Sequence, residues 1–181
     1  MREAREQKRQ RQRILRVVWI SAAIFIAAGV VALLVLRGGG TALGEAVPIE
    51  PRVDHFEPGT EYEYSTNPPT SGPHYDEPAE AGFYSEPVDD GYLVHSLEHG
   101  YVVVWYNCDS LDAAACDTLA SNVQREVQGR AKVIGMPRSG METTLALTSW
   151  GRLLRLDEFD SATIRAFIRA NLNQAPEPNA D

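Results

Sequence analysis

Cysteine is scarce in this chain. Cys108 and Cys116 are the only two, and the seven residues between them exclude a C-x-x-C redox pair. No Gly-x-Ser-x-Gly elbow occurs, which argues against serine hydrolase chemistry. No glycine-rich phosphate loop joins a strand to a helix, since Arg37-Gly-Gly-Gly40 lies in a linker. Basic residues are few beyond Arg37: nine face twenty-three acidic ones, a net charge of −14 over Gly38 to Asp181. Such a field repels polyanions, so DNA and RNA are excluded as ligands and cations or basic partners are favoured. Histidine is missing from most of the chain, and none follows His99.

The histidines that are present lie close together. His55, His74, His95 and His99 fall within forty-five residues, and the last three sit in Asn67-Pro-Pro-Thr-Ser-Gly-Pro-His74 and Val94-His-Ser-Leu-Glu-His-Gly100. Imidazole is the side chain most used to hold a transition metal or to move a proton near neutral pH, so the clustering points to one chemical site.

Val17 to Leu36 is an uncharged run of twenty residues with Ser21 as its one clearly polar member. At 1.5 Å per residue it is long enough to cross a hydrocarbon core of about 30 Å. Seven basic residues against Glu3 and Glu6 precede it, which keeps the N-terminus in the cytoplasm. A cleaved signal peptide would have a shorter apolar region and a better small-residue cleavage site than Thr41-Ala-Leu-Gly44. The expected organisation is a basic arm (1–16), a transmembrane helix (17–36), a linker (37–51), an extracytoplasmic domain (52–173) and a disordered tail (174–181). That topology places Cys108 and Cys116 outside the reducing cytoplasm, where a disulfide is the default.

Arg52 to Gly91 holds more than half of the eleven prolines and is poor in core formers. It reads as an ordered loop layer over a scaffold, with Gly72 free to adopt a positive φ. From Tyr92 the composition is that of a folded α+β unit. Tyr101–Tyr106 is a buried strand, Asp117–Gln128 a helix, Ala131–Met136 a strand ending at Pro137, and Thr143–Ser149 with Gly151–Leu156 a hairpin. A last helix is capped by Asp160 or Ser161. This order resembles a shortened thioredoxin-like β-α-β-β-β-α core, with Pro137-Arg-Ser-Gly-Met141 in place of the middle crossover helix.

Asn67-Pro-Pro-Thr-Ser-Gly-Pro-His-Tyr75, Leu93-Val-His-Ser-Leu-Glu-His-Gly100 and Leu147-Thr-Ser-Trp-Gly-Arg152 together resemble a family of bacterial membrane-anchored proteins catalogued as domain of unknown function 3105. The likeness covers about Val53 to Leu172. It implies a single-pass extracytoplasmic protein and carries no catalytic residue across.

Three kinds of chemistry fit the histidines. His95-Ser-Leu-Glu-His99 matches H-x-x-E-H, in which two helical histidines hold zinc and the glutamate is the base of a metal-dependent hydrolase. The expected reading is instead a binding site for copper or zinc made by His74, His95 and His99, with His55 and Glu98 as further ligands or supports. Met136 and Met141 are soft ligands for copper(I) or, on the plainer reading, packing residues. A third class is binding without metal, in which Tyr62, Tyr64, Tyr75, Tyr84 and Tyr92 face an envelope partner; the same rings also serve to replace a missing aliphatic core.

Overall fold

The computed structural model describes residues 43–51 and 54–179, together with Trp19. The expected basic arm and transmembrane helix lie outside the described residues, Trp19 apart. Among the described residues no helix is long and apolar enough to cross a membrane. Contacts divide the chain into Met1–Gly40 and Thr41–Asp181, and the second unit is the one described below.

It is a mixed α+β domain. Its elements in chain order are β1 (Glu45–Ala46), β2 (Gly82–Phe83), α1 (Asp90–Glu98), β3 (Val102–Tyr106), α2 (Ala113–Val127), β4 (Val133–Pro137), β5 (Leu145–Ser149), β6 (Arg152–Leu156) and α3 (Ser161–Asn171). From β3 onward the order is the expected strand, helix, strand, strand, strand, helix. One sheet runs β1-β6-β5-β3-β4-β2. β3 pairs in parallel with β4 and antiparallel with β5, and β5 and β6 form the expected hairpin.

Every residue of β3 is buried, because both faces of the sheet are covered. Val102, Val104 and Tyr106 pack with Leu119, Val123 and Val127 of α2 and Ile164, Phe167 and Ile168 of α3. Val103 and Trp105 point the other way, into a cluster with Leu93, Val94 and Leu97 of α1. The alternation follows from the two-residue repeat of a strand. Met136 and Met141 belong to this second cluster, and both are buried, so they pack rather than stand among the histidines.

Three expectations are corrected. α2 begins at Ala113 rather than Asp117, because Asp112 caps it by accepting from the Ala115 amide at 2.8 Å and three successive alanines favour the helix. The linker is partly structured, since Glu45–Ala46 adds an edge strand to β6. Residues 174–179, expected to be a free tail, are tied down: Gln174 donates to the Asn171 carbonyl and Glu177 to the Glu98 carbonyl. Other expectations hold. Cys108 and Cys116 form a disulfide with Cα atoms 5.4 Å apart, joining the exit of β3 to the first turn of α2. Asp160 caps α3 by accepting from the amides of Ala162 and Thr163.

A buried carboxylate locks α2 to α3. Glu126 accepts from Ser161 Oγ at 2.7 Å, from Arg165 Nε at 2.7 Å and from Arg165 Nη2 at 2.9 Å. The hydrogen bonds from Arg165 hold its carboxyl below the ordinary value of 4.5. A depressed native value means that below pH 4.5 the unfolded chain binds more protons, so this stabilisation is complete above that pH and is lost as pH falls through the native value. Urea unfolding followed through this acid window should therefore show a steeper loss of stability in the native chain than in Glu126→Gln; equal slopes would contradict the assignment.

Candidate metal centre

The site is built where the proline-rich layer meets α1. A nine-residue helix is marginal alone in water, and α1 is held by being covered on both sides. Leu93, Val94 and Leu97 face the sheet, while His95, Ser96 and Glu98 are buried on the helix's polar side. Ser96 meets the loop layer there: its Oγ donates to the Ala79 carbonyl and accepts from the Ala79 amide, both at 2.9 Å. The Tyr75 amide donates to the Gly91 carbonyl, and the Ala79 amide to the Tyr92 carbonyl, both at 3.2 Å. Gly91 is required here, because a Cβ at that position would lie 2.7 Å from Cγ of Tyr75.

The loop layer brings its own histidines together by an isolated parallel bridge between His55 and His74. Phe56 N donates to the His74 carbonyl at 2.9 Å, and His74 N to the Asp54 carbonyl at 3.2 Å. The layer is fastened to the hairpin as well. Gly151 N donates to the Thr70 carbonyl, which joins the first and third sequence motifs. The peptide between Asn67 and Pro68 is cis.

Four imidazoles converge as a result. Ring centroids lie 4.8 Å apart for His55 and His74, 4.9 Å for His74 and His95, 5.3 Å for His55 and His95 and 4.5 Å for His95 and His99. One ligand nitrogen from each of His55, His74 and His95 lies within 4.8 Å of the other two. His74 is fully buried, whereas the His55 side chain is 46% exposed.

All three of these rings use Nδ1 in the same way. His55 Nδ1 lies 2.8 Å from Asp76 Oδ1, His74 Nδ1 2.8 Å from the Gly72 carbonyl, and His95 Nδ1 2.6 Å from the Tyr75 carbonyl. A carbonyl oxygen only accepts, so His74 and His95 each donate from Nδ1, and such a ring in its neutral form presents Nε2 as a lone pair. Burial, above all, pushes the His74 and His99 imidazoles below the ordinary histidine value, which keeps both neutral near pH 7.

The Nε2 atoms meet unusual partners. His74 Nε2 stands 3.0 Å from Glu98 Oε2 but makes no hydrogen bond there. His95 Nε2 lies 3.0 Å from His99 Nε2, a contact that requires the proton of His99 to be on Nε2. His99 Nδ1 is then a buried atom without a partner.

The grouping differs in part from the sequence reading. His74 and His95 are at its centre as expected, but His55 is the third member, and His99 and Glu98 flank it through His95 and His74. Sequence reasoning missed Asp76, whose only signal is an acidic side chain two positions after His74, and the Gly72 and Tyr75 carbonyls, which no side-chain pattern reveals. Of the five tyrosines, Tyr75 is buried and Tyr64, Tyr84 and Tyr92 pack against the α1 cluster, so these rings extend the core; Tyr62 is the exposed one.

Residues 55–181 fit the model of a family described as protein of unknown function (DUF3105). No curated protein and no solved structure matches the chain.

Because Tyr75 both abuts Gly91 and orients His95, Gly91→Ala should push the loop layer off α1. Overpacking of this kind costs about 1–3 kcal/mol. Chemical denaturation should register that loss, and unchanged stability would show that the layer is not seated against Gly91.

Proposed function

The chain belongs to the DUF3105 family, and on that premise we propose that its folded domain binds a transition-metal ion, copper or zinc, through Nε2 of His55, His74 and His95. The observation that carries this reading is the contact between His74 Nε2 and Glu98 Oε2. A buried neutral imidazole lone pair and a carboxylate oxygen are both acceptors, and at 3.0 Å they repel unless a cation or a proton lies near them. The common use of Nδ1 by three rings is the arrangement in which outer oxygens orient imidazoles for a metal.

The donor set fits either metal. Nitrogen-rich sites suit zinc and copper, and copper(II) is intrinsically the tighter binder. Nitrogens around one zinc ion at 2.0–2.1 Å are roughly 3.4 Å apart, so a group spanning 4.8 Å must contract. The half-exposed His55 is the member free to do this.

The hydrolase alternative is less well supported. His95 stands in the last turn of α1 and His99 is its C-cap, but Glu98 faces His74 rather than standing free as a base. An envelope interaction module finds support in Tyr62 alone among the tyrosines. We further read the domain as held outside the cytoplasm by Val17–Leu36; the Cys108–Cys116 disulfide supports an oxidising compartment. The unit from β3 to α3 is read as a shortened thioredoxin-like core, supported by the helix between parallel β3 and β4 and the antiparallel hairpin beside them.

Titration of the detergent-purified full chain with zinc and copper(II) should give one ion per chain. His74→Ala and His95→Ala should each weaken binding by at least the roughly 10–100-fold that loss of an outer partner of a ligand costs. Binding should also weaken on acidification through the value of His74, which burial holds below the ordinary histidine value, since a ligating nitrogen must be unprotonated. Absence of stoichiometric binding by the native chain would remove the proposal.

A further inference from the structure

The segment after α3 runs back over the C-terminal end of α1. Asn173 N donates to the Gly100 carbonyl at 2.9 Å, and Glu177 N to the Glu98 carbonyl at 3.1 Å. Lys132 Nζ donates to the His99 carbonyl at 3.1 Å and to the Pro178 carbonyl at 2.9 Å, bridging helix end and tail. These contacts occupy carbonyls that a helix leaves without internal partners at its C-terminus. Gly100 is the residue that allows the approach. Its φ is +84°, and a Cβ there would lie 2.7 Å from Cα of Asn173.

The approach places a charged group on the histidine cluster. Glu177 Oε2 lies 3.8 Å from His99 Nε2, which is itself 3.0 Å from His95 Nε2. The Glu177 side chain is 59% exposed, so its carboxylate is free to swing while its amide stays fixed on α1.

We propose that residues 173–179 form a latch over the metal site, with Glu177 supplying a carboxylate ligand or acceptor on the His95/His99 side, so that ion binding and seating of the latch stabilise one another. This rests on the metal reading above. A hard oxygen added to a nitrogen set is compatible with zinc, and a ligand on a tethered segment makes site occupancy a fastener of that segment. The coupling is reciprocal: whatever loosens the latch weakens the ion, and removal of the ion loosens the latch.

The test uses the detergent-purified full chain and zinc. Hydrogen exchange at the Glu177 amide should slow by about 10-fold or more when zinc is present in excess of its dissociation constant. Glu177→Gln should weaken zinc by about 10-fold and abolish most of that protection. Lys132→Met, which removes the bridge to Pro178 without touching a ligand, should raise basal exchange of the tail and weaken zinc by a smaller factor. Zinc bound equally well by the native chain and Glu177→Gln, with no zinc-dependent protection, overturns the latch while leaving the metal site standing. No zinc uptake by the native chain overturns both.

Discussion

The direction in which three imidazoles present their free nitrogens is set by oxygens on the far side of each ring. The Gly72 and Tyr75 carbonyls and the Asp76 carboxylate engage Nδ1 of His74, His95 and His55, and each ring thereby turns Nε2 to the site, where that of His95 meets His99 Nε2. Two of those oxygens belong to the backbone of the proline-rich layer. The layer's seating on α1 is therefore also the seating of the site, and the small residues Gly91 and Ser96 at that contact serve both.

The sheet separates this chemistry from the parts that hold the domain together. α2 and α3 cover one face through an aliphatic cluster, closed at its edge by Glu126 with Ser161 and Arg165. The opposite face carries α1, then the loop layer, and the histidines lie between them. β3 serves both sides, sending Val102, Val104 and Tyr106 one way and Val103 and Trp105 the other. Trp105 also donates from its indole nitrogen to Thr148 Oγ1, within the third sequence motif. The three motifs thus meet on one side of the sheet: the first supplies His74 and the Thr70 carbonyl, the second supplies α1, and the third supplies the turn at Gly151 on which the loop is fastened.

Much of this was legible in the letters, and for identifiable reasons. β3 is a continuous β-branched and aromatic run, α3 has a clear apolar stripe behind Asp160, and the hairpin turns at Trp150-Gly151; each element follows from local pattern. The start of α2 was missed because Ala113-Ala-Ala115 carries no apolar periodicity to mark it as helix. The convergence of His74 on His95 was legible from clustering, whereas the choice of His55 as third member was not, since it depends on a backbone bridge between residues nineteen positions apart. The approach of Glu177 to His99 left no trace in sequence: a glutamate between prolines reads as a solvated tail, and contacts at Gly100 and Lys132 bring it back.

With four histidines in the chain, the imidazole tautomers are open to direct observation by long-range proton–nitrogen NMR. His74, His95 and His55 should each carry their proton on Nδ1 in the metal-free chain, and zinc should shift the Nε2 resonances of these three rings. Protons found on Nε2 of His74 or His95, or Nε2 resonances indifferent to zinc, would rule out the proposed site.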